Sequence, residues 1–357
     1  VSDAASPHPY DRARALVADG FAAFEERLEE VVARQAEYLT DTERAFYRSG
    51  KRLRPLLLLL SARVAERGGR KPLPDKAVAA AVSLELAHVG SLIHDDIVDR
   101  APTRRGLPTI SASRGYELAL VIGDLQWVEA TRTMAAFMET PADIELMRQF
   151  LDTGEQTCRG QLDEMLGPAR LDGDELVRRY YRTIDRKTGR LVSFACEGGA
   201  RVMEGMPSVM GGLRRFGSWL GRAFQVMDDI LDVVRPAHAA GKEPLTDLLQ
   251  GRLSLPLVYT LQALPPGHFL QRLRTGEALD EEELREAARL VRFGDGWIRA
   301  FSDARAIVAR AHTELSLLPE SPYRQALWDL SAHLVNQGFL DPHGTAPGPA
   351  AAAPFHP

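Results

Sequence analysis

The sequence predicts an all-α fold, a single domain built as a helical bundle. Three observations predict it. Apolar residues recur three and four apart through almost the whole chain, alternating strand patterns are nearly absent, and no composition change marks a linker. At roughly 150 residues per domain, the 357 residues suggest two domains. Unbroken helical patterning without an internal repeat outweighs that prior, and helices this apolar must bury one another.

Taken in order, residues 1–9 are small, polar and Pro-containing and read as a flexible leader to a domain spanning 10–342. Ala13–Ala36 carries Leu16, Val17, Phe21, Phe24, Leu28 and Val32 at helical spacing. GKRLRP at 50–55 precedes a helix opened by Pro55, a residue suited to the first turn. Asp75 is expected to N-cap a long Ala-, Val- and Leu-rich helix running from Lys76 to about Asp99. Further helices are expected near 113–138, 142–166, 174–199, 207–234, 252–264, 279–291, 295–316 and 321–337. Pro and Gly punctuate the gaps, as GGRKPLP at 68–74, APTRRGLP at 101–108 and LPPG at 264–267. Residues 343–357, rich in Pro, Ala and Gly, read as a disordered tail.

Composition excludes several classes. With 45% apolar and 26% charged residues, wholesale disorder is out. A net charge of −5 gives no footprint for nucleic acid. Two cysteines, Cys158 and Cys196, make no disulfide framework, and both read as core residues of a protein in a reducing compartment. No run reaches 18 uncharged apolar residues, so no transmembrane segment is expected, and no secretory signal is visible. The expected location is cytoplasmic.

Chemistry concentrates in two acidic motifs. Asp95, Asp96 and Asp99 spell DDIVD at the end of the long helix, and Asp228, Asp229 and Asp232 spell DDILD inside another. Positions i and i+4 share a helix face, which pairs Asp95 with Asp99 and Asp228 with Asp232. Their Ile and Val flanks imply mostly buried helices, and clustered carboxylates there need counter-charge. Oxygen donors without nearby Cys or paired His fit Mg²⁺ better than zinc, with substrate phosphates completing the shell. For 24 Asp in this length, one DDxxD arises by chance about one time in ten and two about one in two hundred. The second copy makes the pattern informative.

Basic residues supply the complement. Lys51, Arg52 and Arg54 precede a helix, whose N-terminus itself favours anions. Arg104 and Arg105 follow Asp99 in a loop able to fold back over anything the aspartates hold, and Arg suits bidentate phosphate contacts. Lys187–Thr188 and Gly241–Lys242 add donors. Any one of these alone is more often a solvated charge. Acids for metal, cations for phosphate and apolar walls together suit an apolar molecule bearing a diphosphate. His88 lies two helical turns before Asp95 and shares its face. No GxxxxGK[ST], GxGxxG or HExxH occurs, so P-loop, dinucleotide and zincin readings lack support.

The assembly resembles the trans-polyprenyl diphosphate synthases. The matching landmarks are GKRLRP at 50–55, LELAHVGSLIHDDIVDRAPTRRGLPT at 84–109, GD at 123–124, GQ at 160–161, KTG at 187–189, FQVMDDILDV at 224–233, and GK–DL–G–LP between Gly241 and Pro256. They keep family order over roughly residues 15–340. The resemblance implies the isoprenoid synthase fold around a central apolar cavity, a homodimer, and Mg²⁺, three ions per active site. It implies elongation of an allylic diphosphate by isopentenyl diphosphate. Carried over by position, Lys51, Arg54, His88 and Arg105 look like the isopentenyl diphosphate site. Asp95, Asp99, Asp228 and Asp232 look like the metal ligands, and Arg104, Lys187, Thr188, Gln225 and Lys242 like contacts of the allylic diphosphate. Asp95, Asp99, Asp228, Lys187 and Lys242 would carry the catalysis.

Three positions depart from the family pattern. Leu245 stands where a second Gly of the GKxxGxD loop is usual, Arg252 replaces a Lys, and no basic pair ends the chain. Two rival readings are a class I terpene cyclase and a regulatory subunit of a prenyl synthase. The cyclase would carry an Asn/Ser/Glu motif where DDILD stands, and an inactive subunit would be expected to lose an acidic motif or the loop arginines. Gly90 and Ser91, five and four residues before Asp95, are small and argue against an early stop, so a product of C20 or longer is expected. Trp127 or Phe150 would be the residues to close the tunnel from another helix.

Overall fold

The structure, a computed structural model, describes residues 8–48, 50–66, 72–166, 173–234, 248, 252–275 and 277–336. Helices dominate it, as the periodicity requires. In chain order they are α1 (Pro9–Leu16), α2 (Ala18–Ala33), α3 (Asp41–Arg48), α4 (Leu53–Ala65), α5 (Asp75–Val98), α6 (Ile110–Arg114), α7 (Tyr116–Ala135) and α8 (Pro141–Met165). After these come α9 (Gly173–Ile184), α10 (Arg190–Val202), α11 (Pro207–Val234), α12 (Leu255–Ala263), α13 (Glu281–Phe293), α14 (Gly296–Ser316) and α15 (Pro322–Asn336).

Packing follows sequence chemistry. In α5 an 18-residue window has mean hydropathy 1.4, enough by composition to cross a membrane, but 72% of it is buried inside the protein. It is the core helix, with α2, α4, α7 and α10 against it. The run Leu56–Leu60 of α4 is fully buried, and α10 lies between α4 and α11. Gly199 makes the α4–α10 approach possible: a Cβ there would sit 2.1 Å from the Leu58 carbonyl oxygen. Among the described residues, capping boxes start α3 (Thr40–Glu43), α8 (Thr140–Asp143) and α13 (Asp280–Glu283).

The expected segments are present, with corrections. Val17, buried and non-helical at φ −124°, divides the expected helix from Ala13 into α1 and α2, and α1 begins at Pro9 inside the expected leader. Asp75 is the first residue of α5 rather than its cap; Pro74 holds the N-cap position. Pro55 is the third residue of α4, which begins at Leu53. Gly115, at φ +95°, separates α6 from α7 within the expected 113–138 helix. A π-helical turn, Asp185–Gly189, separates α9 from α10, and a 3₁₀ segment at Phe269–Thr275 follows the LPPG turn. Two short strands, β1 (Thr103–Arg104) and β2 (Leu107–Pro108), pair antiparallel. Cys196 is buried as expected, whereas Cys158 is exposed and lines the central cavity from α8. Residues 343–357, Lys242 and Leu245 lie outside the described residues.

Candidate active site

A cavity of about 1110 Å³ opens between α4, α5, α8, α9, α10 and α11. Lys51, Arg54, His88, Ser91, Asp95, Asp99, Arg104, Arg105, Lys187, Thr188, Gln225, Asp228 and Asp232 all line it. Residues far apart in sequence therefore converge on one space. Gly90 does not reach it. A Cβ at Gly90 would meet the Gly123 carbonyl at 3.0 Å, Trp127 Cδ1 at 3.1 Å and Gln126 Cβ at 3.2 Å, so Gly90 seats α5 on α7. Trp127 lines the cavity, and the Phe150 ring lies 6.3 Å behind it.

The first motif ends α5, where three carboxylates face the negative end of the helix dipole and need cations. The structure supplies one for each. Asp99, the C-cap, pairs with Arg252. Asp95 Oδ1 lies 3.7 Å from Lys187 Nζ. Asp96 turns the other way, is buried, and accepts from Arg104 Nε at 2.8 Å. Glu164 of α8 binds Lys187 at 2.7 Å and lies 3.8 Å from Arg252.

Lys187 projects from the π turn, and small residues let that turn in. A Cβ at Gly160 would lie 2.5 Å from the Lys187 nitrogen. Asp185 anchors the turn by accepting from Arg222 Nε at 2.9 Å and Ser218 Oγ at 3.3 Å. One π turn inside helical sequence commonly marks a functional position.

Arg105 and Gly106, between β1 and β2, both take positive φ (+53° and +77°), which is type I′ turn geometry. The turn throws the Arg105 guanidinium over Gly50, where a Cβ would sit 2.8 Å from Nη1. Beneath it, Arg54 Nη1 lies 3.1 Å from His88 Nε2. Burial, then the charges of Arg54, Arg105, Arg104 and Arg52, hold His88 well below the usual histidine range. Arg52 is spent on structure: its buried guanidinium binds Glu85 at 2.7 Å and the Tyr47 carbonyl.

The second motif divides as the first does. Asp228 is exposed and Asp232 half-buried on the cavity wall, while Asp229 is buried. Burial pushes the Asp229 carboxyl up to about 7, against hydrogen bonds from Gln225 and Tyr180 that lower it. Gln225 is engaged at both ends, accepting from the Thr188 hydroxyl at 2.8 Å and donating to Asp229 at 3.0 Å.

The donor set suits a hard divalent ion. Asp95, Asp99, Asp228, Asp232 and Glu164 offer oxygens around the cavity. No three acidic, His or Cys groups among the described residues are close enough to hold an ion unaided. Lys187 and Arg252 lie between the carboxylates instead, which fits a cation that arrives with phosphate oxygens. Sequence reasoning missed Glu164, three residues beyond the quoted GQ, and the bonded partners of Asp229. It also missed Gln161, whose amide nitrogen and oxygen are both buried at the cavity without a hydrogen-bond partner. A buried amide of this kind in a pocket wall has its hydrogen bonds left to water or a ligand.

Comparison with known proteins agrees with this geometry. The polyprenyl synthetase family profile matches residues 36–291. A nonaprenyl diphosphate synthase of Mycobacterium tuberculosis is 33% identical over 328 residues, 90% of this chain and 94% of that protein. Heptaprenyl diphosphate synthase component 2 of Geobacillus stearothermophilus is 31% identical, covering 91% of this chain and 98% of that protein. A crystal structure of geranylgeranyl pyrophosphate synthase from Corynebacterium glutamicum, complexed with calcium and isoprenyl diphosphate, superposes with a TM-score of 0.73 at 29% identity, covering 90% and 96% of the two chains.

Proposed function

Starting from the fact that this chain belongs to the polyprenyl synthetase family, and is a prenyltransferase that makes polyprenyl diphosphates head to tail, we propose how its residues divide the reaction. The family uses a divalent metal; here we assign Mg²⁺, three ions per site, held by Asp95, Asp99, Asp228 and Asp232. When bound, it neutralises charge on the diphosphate that leaves the allylic substrate.

Lys187, Arg104 and Lys242 share that task, because preorganised cations at a departing anion stabilise the transition state more than the ground state. Lys51, Arg54, His88 and Arg105 hold isopentenyl diphosphate with its double bond toward the allylic carbon. Carbon–oxygen cleavage leaves an allylic cation in a dry cavity. The double bond attacks it, and the proton lost from the new carbocation passes to the released diphosphate. Gln161 contacts the diphosphate of one substrate.

The observation that carries the reading is the meeting of both acidic motifs and the Arg54–His88 pair on one cavity whose lining also includes Trp127, Leu191, Phe224 and Met227. A cyclase has no use for the second cation cluster. The product is C20 or longer, in the cytoplasm, and the active form is a homodimer. Exposed apolar side chains on α7, namely Leu120, Val121 and Val128 at 50%, 62% and 59%, support pairing through that face.

The test is incubation with isopentenyl diphosphate, Mg²⁺ and each allylic primer, with mass analysis of products. A ladder reaching C20 or beyond is expected. Diphosphate release without elongation would replace this reading with the cyclase.

A further inference from the structure

Asp229 sits in the second acidic motif, buried at the cavity wall, and both its oxygens are committed. Oδ2 accepts from the Tyr180 hydroxyl at 2.7 Å and the Leu255 amide at 3.3 Å. Oδ1 accepts from Gln225 Nε2 at 3.0 Å, and Gln225 Oε1 accepts from the Thr188 hydroxyl at 2.8 Å. Leu255 is the first residue of α12, whose own N-cap, Ser254, makes no side-chain capping bond. A carboxylate from α11 therefore satisfies an orphan amide at that helix start, where negative charge is favoured. Arg252, paired with Asp99, lies three residues upstream.

We propose that Asp229 is a positioning residue and not a metal ligand. It holds the start of α12 so that Arg252 faces the first acidic motif, and it orients Gln225 so that Thr188, next to Lys187, is fixed on the allylic diphosphate side. One buried carboxylate thereby couples the two motifs. The inference rests on the assignment of Asp228 and Asp232 to the metal.

Chemistry separates the two roles. Asn at 229 can keep every bond: its oxygen accepts from Tyr180 and Leu255, and its amide donates to a flipped Gln225, which then donates to the Thr188 hydroxyl oxygen. Ala keeps none. A ligand, in contrast, needs the charge.

The experiment compares Asp229→Asn, Asp229→Ala, Tyr180→Phe and Asp228→Asn by steady-state kinetics with each substrate varied, alongside melting temperature. Asp229→Asn is expected to keep kcat within about threefold. Asp229→Ala should raise the allylic KM by about tenfold or more, with the isopentenyl diphosphate KM within about twofold, since a small misplacement is costly only where it falls. If Asp229→Ala does not fold, Tyr180→Phe, which removes one donor, should show the same bias on a smaller scale. Equal losses in Asp229→Asn and Asp229→Ala would overturn the proposal in favour of a ligand. A lower melting temperature with both KM values unchanged would overturn it in favour of a purely structural bond. Asp228→Asn reports on the metal assignment itself: if harmless, that assignment fails, while the Asn–Ala contrast at 229 still decides the clamp.

Discussion

Arg54 donates to Nε2 of His88 across 3.1 Å. A guanidinium has no acceptor, so Nε2 carries the lone pair and the imidazole proton resides on Nδ1. Burial and four nearby guanidinium groups keep the ring neutral and its pKa well below the ordinary value. His88 is thus an acceptor that holds a cation in place within a cluster of cations.

That arrangement sets a pH dependence. Between the unfolded value of about 6.5 and the lower folded value, only the unfolded chain binds the proton. The stability contributed by neutral His88 is therefore complete above about 6.5 and is lost as pH falls below it. Urea midpoints at pH 7.5 and 5.5 should differ in the parent, and His88→Gln, whose amide oxygen can accept from Arg54, should reduce the difference. The same pH slope in both proteins would refute the neutral-acceptor assignment.

Asp95→Ala and Asp228→Ala should each lower turnover by at least ~10²-fold, since each removes preorganised stabilisation of the leaving group. EDTA should abolish parent activity and Mg²⁺ restore it. Near-normal turnover of either mutant at saturating Mg²⁺ would count decisively against the metal assignment.

The loop arginines should separate by stability as well as by substrate. Arg104 is bonded to buried Asp96, whereas Arg105 sits over Gly50 with the like charges of Arg104 and Arg52 opposing its own. Arg104→Ala should weaken the allylic substrate and cost on the order of 2–4 kcal/mol, because a partly buried pair loses its cation. Arg105→Ala should raise the isopentenyl diphosphate KM with little change in melting temperature. Identical effects from the two substitutions would sink the division.

Much of this was legible because periodicity and motif spacing act locally. DDIVD and DDILD announced the carboxylates, and the spacing of Phe21, Phe24 and Leu28 announced the buried face of α2. The division within each motif was not legible. Asp96 and Asp229 look like their neighbours in sequence, and only tertiary placement gives them Arg104 and Tyr180 as partners. The same applies to Arg252, read as a departure from family pattern but found against Asp99 and Glu164. The break at Val17 carries no Gly or Pro, so no local signal marked it.

Pairing through α7 predicts a concentration-dependent dimer. Val121→Asp places charge in the apolar stripe of Leu120, Val121 and Val128 and should yield monomers by light scattering, without loss of helix content. A parent that is monomeric at micromolar concentration would end the homodimer proposal.

Phenylalanine at two adjacent positions distinguishes packing from chain length. Ser91 lines the cavity one turn before Asp95, its hydroxyl bonded back to the Ala87 carbonyl at 3.0 Å. Gly90 faces α7, where even a Cβ would lie 3.0 Å from the Gly123 carbonyl. A ring at 91 fills space that a growing polyprenyl tail would occupy below the acidic motif. Ser91→Phe should therefore retain primer turnover and shorten the products by one or more isoprene units. A ring at 90 instead forces α5 from α7 and should cost at least ~1–3 kcal/mol, lowering the melting temperature. Its products should keep the parent length at whatever rate remains. Mass analysis beside thermal melts reads both effects. Shortened products from Gly90→Phe, or an unchanged distribution from Ser91→Phe, would show that the tail takes another route past α5.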